Sequence, residues 1–251
     1  MRLHTSHSGV SDRGRVRERN EDNWCAFPDL GLYVVSDGLG GHFAGELASK
    51  IVVETLPALV RKQMSRIAKL DGKPAARRLY GILSELSRQI HGQTQHQPGF
   101  EGMGATVALA IVRGDKALIA HLGDSRVYLL RKALLRQLTK DHSVVQLLLD
   151  RGEVTPDEAL THPARGQVTR SMGMEGDALP EIQMLELAPA DRLMLCTDGL
   201  TRMVLDNEIA KLLLDNCEPE AACRALIHAA NEAGGHDNIT VVIIDWHEPS
   251  Q

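Results

Sequence analysis

Three acidic residues stand where apolar runs end. Asp37 follows Leu32-Tyr33-Val34-Val35-Ser36 and precedes Gly38, and Asp198 follows Leu193-Met194-Leu195-Cys196-Thr197 and precedes Gly199. Asp237 lies in Gly234-Gly235-His236-Asp237-Asn238, just before the apolar run Ile239 to Ile244. A short apolar run without polar interruptions reads as a strand buried on both faces, so a carboxylate at its end emerges at the rim of the core. A glycine beside that carboxylate leaves the backbone bare, and a hydrated cation can then reach the carbonyl of Gly38 as well as the side chain of Asp37. Taken singly, each Asp could instead cap the helix that follows it. The repeated Asp-Gly grammar favours convergence of the three strand mouths on one all-oxygen cation site.

Arg13, Arg15, Arg17 and Arg19 recur at a spacing of two, which on an extended segment puts all four on one face. That pattern fits a solvated edge strand. It also fits guanidiniums aimed at an anion, with Glu21 and Asp22 close enough in sequence to orient one of them or to hold metal-bound waters. Cys25, Cys196, Cys217 and Cys223 show no CxxC spacing, and no HExxH or paired histidines complete a zinc set, so free thiols are expected. Cys196, inside an apolar run, reads as a small core side chain.

The elements that must position these residues can be read in outline. Residues 43–70 have helical spacing, with Pro57 expected to kink or break the helix, and a second helix is expected from about Pro74 to His96. From Gly104 the alternation of Val107, Leu109 and Ile111 begins an antiparallel meander reaching residue 138, with Gly123-Asp124-Ser125 as one of its turns. On pattern alone Asp124 is a turn residue. Residues 141–179 interrupt the strands with a helix near Ser143 to Arg151, another from Pro156 and a polar stretch, and an insertion of that length is more often functional than idle. Strands follow at Ile182 to Leu187 and Arg192 to Cys196, helices at Asp206 to Asp215 and Pro219 to Ala233, and a last strand at Ile239 to Asp245.

Composition sets the class. The chain has 251 residues, 43% hydrophobic and 24% charged, and its net charge of -5 argues against a general binder of nucleic acid or anionic membranes. No apolar run approaches the roughly 18 residues needed for a membrane span, and the N-terminus lacks a secretory core, so a cytoplasmic location is expected. Gly38-Leu39-Gly40-Gly41 after a strand raises the alternative of a dinucleotide site. Phe43 occupies the place of the glycine or alanine that pattern needs, and an antiparallel meander is the wrong sheet.

With RERNED, SDGLGGH, GATVALAIV, HLGDSRVYLL, TRSMG, CTDGLT and GGHDNITVV in this order over residues 9–246, the chain resembles the bacterial branch of the type 2C metal-dependent serine/threonine protein phosphatases. The resemblance implies an α+β fold: a central β-sandwich of two antiparallel sheets flanked by pairs of helices, with a metal site at one end. It implies one catalytic domain over 1–251 with a flap at about 141–173. Asp37 then corresponds to the carboxylate bridging two divalent metals, Mn²⁺ or Mg²⁺, with the Gly38 carbonyl on one of them and Asp198 and Asp237 completing the other. Glu21 and Asp22 act through metal-bound waters, Arg17 grips the substrate phosphate, and Asp124 with Asp198 holds a weaker third metal. Leu39 stands where animal members place a histidine assigned as general acid, so the leaving oxygen would take its proton from His42 or from a metal-bound water.

The implied activity is hydrolysis of phosphoserine and phosphothreonine in proteins by a metal-bridging hydroxide, without a phosphoenzyme, reversing bacterial Ser/Thr kinase signalling. Phosphoprotein substrates and a kinase pathway are the implied partners, and a monomer is expected. Oxygen donors without thiolates independently favour hard cations, and two of them roughly 3.5–4 Å apart can acidify one water. A pseudophosphatase and a hydrolase of small phosphate esters are the rival readings. The intact trio Asp37, Asp198 and Asp237 argues against the former.

Overall fold

The computed structural model describes residues 5–40, 43–64, 67, 70, 72–94 and 102–247. Its strands alternate between two different interiors, as the period of two along a strand requires. β3 (Leu32–Leu39) sends Leu32 and Val34 towards helices and Tyr33 and Val35 towards a second sheet, all four fully buried. β5 (Val107–Arg113) repeats this, with Val107, Leu109 and Ile111 on the helix side and the smaller Ala108 and Ala110 between the sheets. Burial on both faces explains why these strands read as apolar runs. Each fully buried Leu or Ile adds about 1.5–3 kcal/mol.

One sheet orders its strands β2 (Asp22–Phe27), β3, β5, β6 (Lys116–Leu122) and β9 (Glu181–Glu186), with the short β4 (Gly104–Ala105) paired to the end of β3. The other runs β1 (Thr5–Asp12), β11 (Ile239–Trp246), β10 (Arg192–Cys196), β7 (Arg126–Arg131) and β8 (Leu134–Gln137). All these pairings are antiparallel. The first sheet is covered by α1 (Phe43–Met64) and α2 (Gly72–Thr94), whose stripes Val52, Leu56, Val60 and Leu79, Leu83, Leu86 join its core. The second is covered by α6 (Asp206–Asp215) and α7 (Pro219–Glu232) through Ile209, Leu213, Leu226 and Ile227. The expected sandwich is therefore present. Among the described residues no helix is long and apolar enough to cross a membrane.

Three expectations need correction. Helix α1 runs through Pro57 without breaking, because Val52, Val53 and Leu56 before it and Val60 and Met64 after it bury one continuous stripe. That packing outweighs the roughly 3 kcal/mol cost of an internal proline. The meander from 105 to 138 is not one sheet: β5 and β6 lie in the first, β7 and β8 in the second, and Gly123-Asp124-Ser125 is the crossing between them. Nor do the alternate arginines share a strand face, since β1 ends at Asp12 and residues 13–21 form a loop. Arg15 pairs with Glu232 at 3.9 Å, whereas Arg17, also exposed, reaches Asp237 at 2.8 Å.

The segment 141–173 leaves and re-enters at one place. Val144 N–H donates to the Gln167 carbonyl at 2.9 Å and Thr169 N–H to the His142 carbonyl at 2.7 Å, zipping its two ends together. Between them lie α3 (Val144–Asp150), capped by Ser143, and α4 (Pro156–Ala159), opened by a capping box between Thr155 and Glu158.

Candidate active site

One end of the sandwich gathers the acidic residues, and β-register explains how. Asp22 and Asp37 are direct cross-strand partners of β2 and β3. Asp22 Oδ2 accepts hydrogen bonds from the Thr197 and Thr240 hydroxyls, each at 2.8 Å, so this carboxylate ties the first sheet to β10 and β11 of the second. Thr197 is the residue before Asp198, which opens the one-turn α5 (Asp198–Thr201). Thr106 N–H donates to the Asp37 carbonyl at 2.8 Å, and its hydroxyl accepts from Asp37 N–H at 2.9 Å and meets Ser125 Oγ at 2.6 Å. The sheet crossing that carries Asp124 is thereby fastened to Asp37.

Both Asp-Gly pairs need their glycine for the same steric reason. A Cβ on Gly38 would collide with the Gly45 carbonyl at the start of α1, and one on Gly199 with the Asn238 carbonyl. Close backbone approach, more than turn geometry, fixes these positions.

Asn238 is the residue that sequence reasoning missed. Its Oδ1 accepts from Glu21 N–H at 2.8 Å, its Nδ2 donates to the carbonyls of Arg13 and Arg19 at 2.9 and 2.8 Å, and its own N–H donates to Asp237 Oδ1 at 2.9 Å. One buried amide thus holds both ends of the arginine loop beside Asp237. The signal was present in Asp237-Asn238, because a buried amide side chain must find several partners. Arg17 Nη2 then lies 2.8 Å from Asp237 Oδ2. Arg202 Nη1 stands 3.2 Å from Asp198 Oδ2 and 3.4 Å from Asp237 Oδ2.

The electrostatics suit a cation. Burial pushes the Asp37 carboxyl well above its ordinary value, and the charges of Asp22, Asp198, Asp124 and Asp237 push in the same direction. Asp22 rises to about 7, chiefly through burial and against its two hydroxyl donors. Asp124 and Asp198 are raised as well, again first by burial. Among the described residues Asp22 Oδ1 is buried without a hydrogen-bond partner. Buried carboxylates that repel one another, one with an orphaned oxygen, fit oxygen-preferring divalent cations. Glu21 is raised by burial too, with Arg17 opposing. His42, the candidate acid, lies outside the described residues.

A second cluster has another character. His121, His142 and Glu181 bring ligand-type atoms within 4.8 Å of one another. The two imidazoles are stacked with planes only 15° apart, so no single ion can lie in both ring planes. His121 Nε2 donates to the Lys140 carbonyl at 2.7 Å, while His142 Nδ1 accepts from Gly123 N–H at 3.2 Å. Burial lowers both pKa values, and the neutral stack anchors the root of the 141–173 segment to the crossing at Gly123.

The sequence model of the family Protein phosphatase 2C matches residues 14–228, and the chain belongs to that family. The serine/threonine phosphatase stp of Listeria monocytogenes is 35% identical over 238 residues, covering 94% of this chain and 93% of that protein. The serine/threonine phosphatase Stp1 of Staphylococcus aureus superposes with a TM-score of 0.89 at 33% identity, over 99% of this chain and 98% of that one. The catalytic domain of the phosphatase PstP, in complex with two manganese ions, gives a TM-score of 0.80 at 34% identity over 97% of this chain and 99% of its own. All three are similar along nearly the whole length of this chain.

Proposed function

We propose that this protein hydrolyses phosphoserine and phosphothreonine in proteins, using divalent cations held at the sandwich end. The observation that carries this reading is the convergence of Asp22, Asp37, Asp124, Asp198 and Asp237, with Arg17 against Asp237, in a chain of the protein phosphatase 2C family. Asp37, the Gly38 carbonyl, Asp198 and Asp237 are the ligands of two cations, Mn²⁺ or Mg²⁺. Glu21 and Asp22 act through waters, and Asp124 with Asp198 holds a weaker third ion. When bound, such cations neutralise phosphoryl charge and bring the pKa of a water near neutrality.

The protein groups bind and orient. Arg17 offers the phosphoryl oxygens a planar pair of donors, and Asn238 keeps the loop that carries it in place. No side chain is needed as nucleophile: Cys196 is fully buried, and burial drives its thiol pKa up. We read residues 1–251 as one catalytic domain, with 141–173 as a flap over the site, working as a cytoplasmic monomer opposite a Ser/Thr kinase.

The test is turnover of a phosphothreonine peptide with Mn²⁺ or Mg²⁺ and with chelator. Activity should vanish on chelation, and Asp37→Asn should cost at least about 10³ in rate. Full activity in a metal-free preparation would refute the reading. Faster turnover of small phosphate metabolites than of any phosphopeptide would favour the small-ester alternative.

A further inference from the structure

A cavity of about 260 Å³ opens beside Asp237. Its wall carries Arg17 from the 13–21 loop, Arg165 from the 141–173 segment, Arg202 just after α5, and His236. Arg165 donates to the carbonyls of Leu160 at 3.0 Å and Thr201 at 3.2 Å, and among the described residues it has no carboxylate partner. Burial and the neighbouring guanidiniums of Arg202 and Arg126 work against its charge. Arg202 Nη2 donates to the Arg165 carbonyl at 3.4 Å, and its guanidinium rests where a Cβ on Gly166 would lie 3.0 Å from both terminal nitrogens. The Arg202 guanidinium thus lies on the Arg165–Gly166 backbone, and side chains from two different segments line one cavity.

The acids that Arg17 and Arg202 meet here, Asp198 and Asp237, are the residues assigned above to divalent cations. A carboxylate that shares its charge with a divalent cation holds a guanidinium less strongly. One phosphoryl group needs Arg17, which leaves Arg165 and Arg202 facing the same space with no anion of their own. Planar guanidinium forks match carboxylate and phosphate oxygens.

We propose that Arg165 and Arg202 form a second anion subsite, which accepts a carboxylate or a second phosphate on a residue flanking the phosphoserine or phosphothreonine. This rests on the protein-phosphatase reading of the site and names the substrate class within it: phosphopeptides with a further negative charge next to the scissile group.

Binding decides it, measured by calorimetry on the Mn²⁺-loaded protein with peptides carrying a non-hydrolysable phosphonate in place of phosphoserine. One peptide has neutral flanks, a second set has glutamate on either side in turn, and a third has the non-hydrolysable phosphonate analogue of phosphothreonine there. At least one anionic flank should tighten Kd by about 10-fold or more, the scale of a charge-assisted hydrogen bond, and the larger gain identifies carboxylate or phosphate as the preferred group. Arg202→Gln and Arg165→Gln should each remove most of that ratio, whereas Arg17→Ala should weaken all the peptides together. Equal Kd for neutral and anionic flanks in the wild type, or a ratio that survives both Gln substitutions, overturns the subsite alone. Hydrolysis of small phosphate esters with no binding of any phosphopeptide overturns the protein-substrate reading, and the subsite with it.

Discussion

Arg17 and Asp124 are the residues whose roles a single substitution separates most cleanly. Arg17 contacts Asp237 through Nη2 and lines the cavity, and in the proposed role it would meet a phosphoryl group before reaction begins. A charge-assisted contact of about 1.5–3 kcal/mol made in the ground state appears in KM, so Arg17→Ala should raise KM by roughly 10- to 150-fold with kcat little changed. A fall in kcat at constant KM would move Arg17 into the transition state. Asp124 is buried at the crossing between sheets, where burial and Asp198 raise its pKa. If it holds a weaker third cation, Asp124→Ala should leave tight metal binding intact, cut turnover strongly and respond only partly to added metal. Calorimetric metal titration beside rate measurements checks this: unchanged stoichiometry together with unchanged kcat would reduce Asp124 to a residue of the crossing.

At the scale of elements, two side chains hold pieces of backbone that no strand or helix pairing holds. Asn238 fastens both ends of the 13–21 loop, and Asn238→Ala would remove three half-buried hydrogen bonds, at about 0.5–1.5 kcal/mol each. Because Arg17 rides on that loop, the variant should also raise KM, and a thermal melt beside the kinetics should register both losses. Arg192 is the second case. Its guanidinium terminates α6 by donating to the carbonyls of Leu213 and Asn216, each at 2.7 Å, and it pairs with Asp245 at 2.6 Å on the neighbouring strand. Arg192→Met should destabilise by about 3–5 kcal/mol, because Asp245 keeps a largely buried, unpaired charge. Denaturant unfolding should show this loss while the KM of the folded fraction stays as it was, the site being at the other end of β10.

For the molecule as a whole, cation and proton compete for the same carboxylates. Asp22 titrates at about 7 in the fold against about 4 in an unfolded chain, and Asp37, Asp124 and Asp198 are displaced the same way. A carboxyl with a raised folded pKa holds its proton more tightly in the fold, so without cation its contribution to stability declines as pH climbs from about 4 through about 7. A bound divalent cation replaces the proton and offsets that decline. The rise in Tm produced by saturating Mn²⁺ should therefore grow between pH 5 and pH 8. A rise that is flat over this interval would mean that these carboxylates are not the ones the cation engages.

Much of this protein was legible in local pattern. Runs such as Leu32 to Val35 and Leu193 to Cys196 announced strands buried on both faces, because period two and unbroken apolarity admit few other structures. The Asp-Gly pairs at their ends announced the acidic rim for the same local reason. What sequence could not decide is which strand ends share a rim. The chain changes sheets at Gly123-Asp124-Ser125, and that crossing carries Asp124 to the end of the sandwich instead of leaving it in a hairpin. Asp22 meets Thr197 and Thr240, and Asn238 meets Arg13 and Arg19, across separations of 175 to 225 residues. Pro57 stayed helical because distant sheet packing outweighed a local cost. Local propensity fixes the period of each element, but partners far apart in the chain are chosen by burial and hydrogen-bond satisfaction in three dimensions, and those terms exist only once the two sheets have closed on each other.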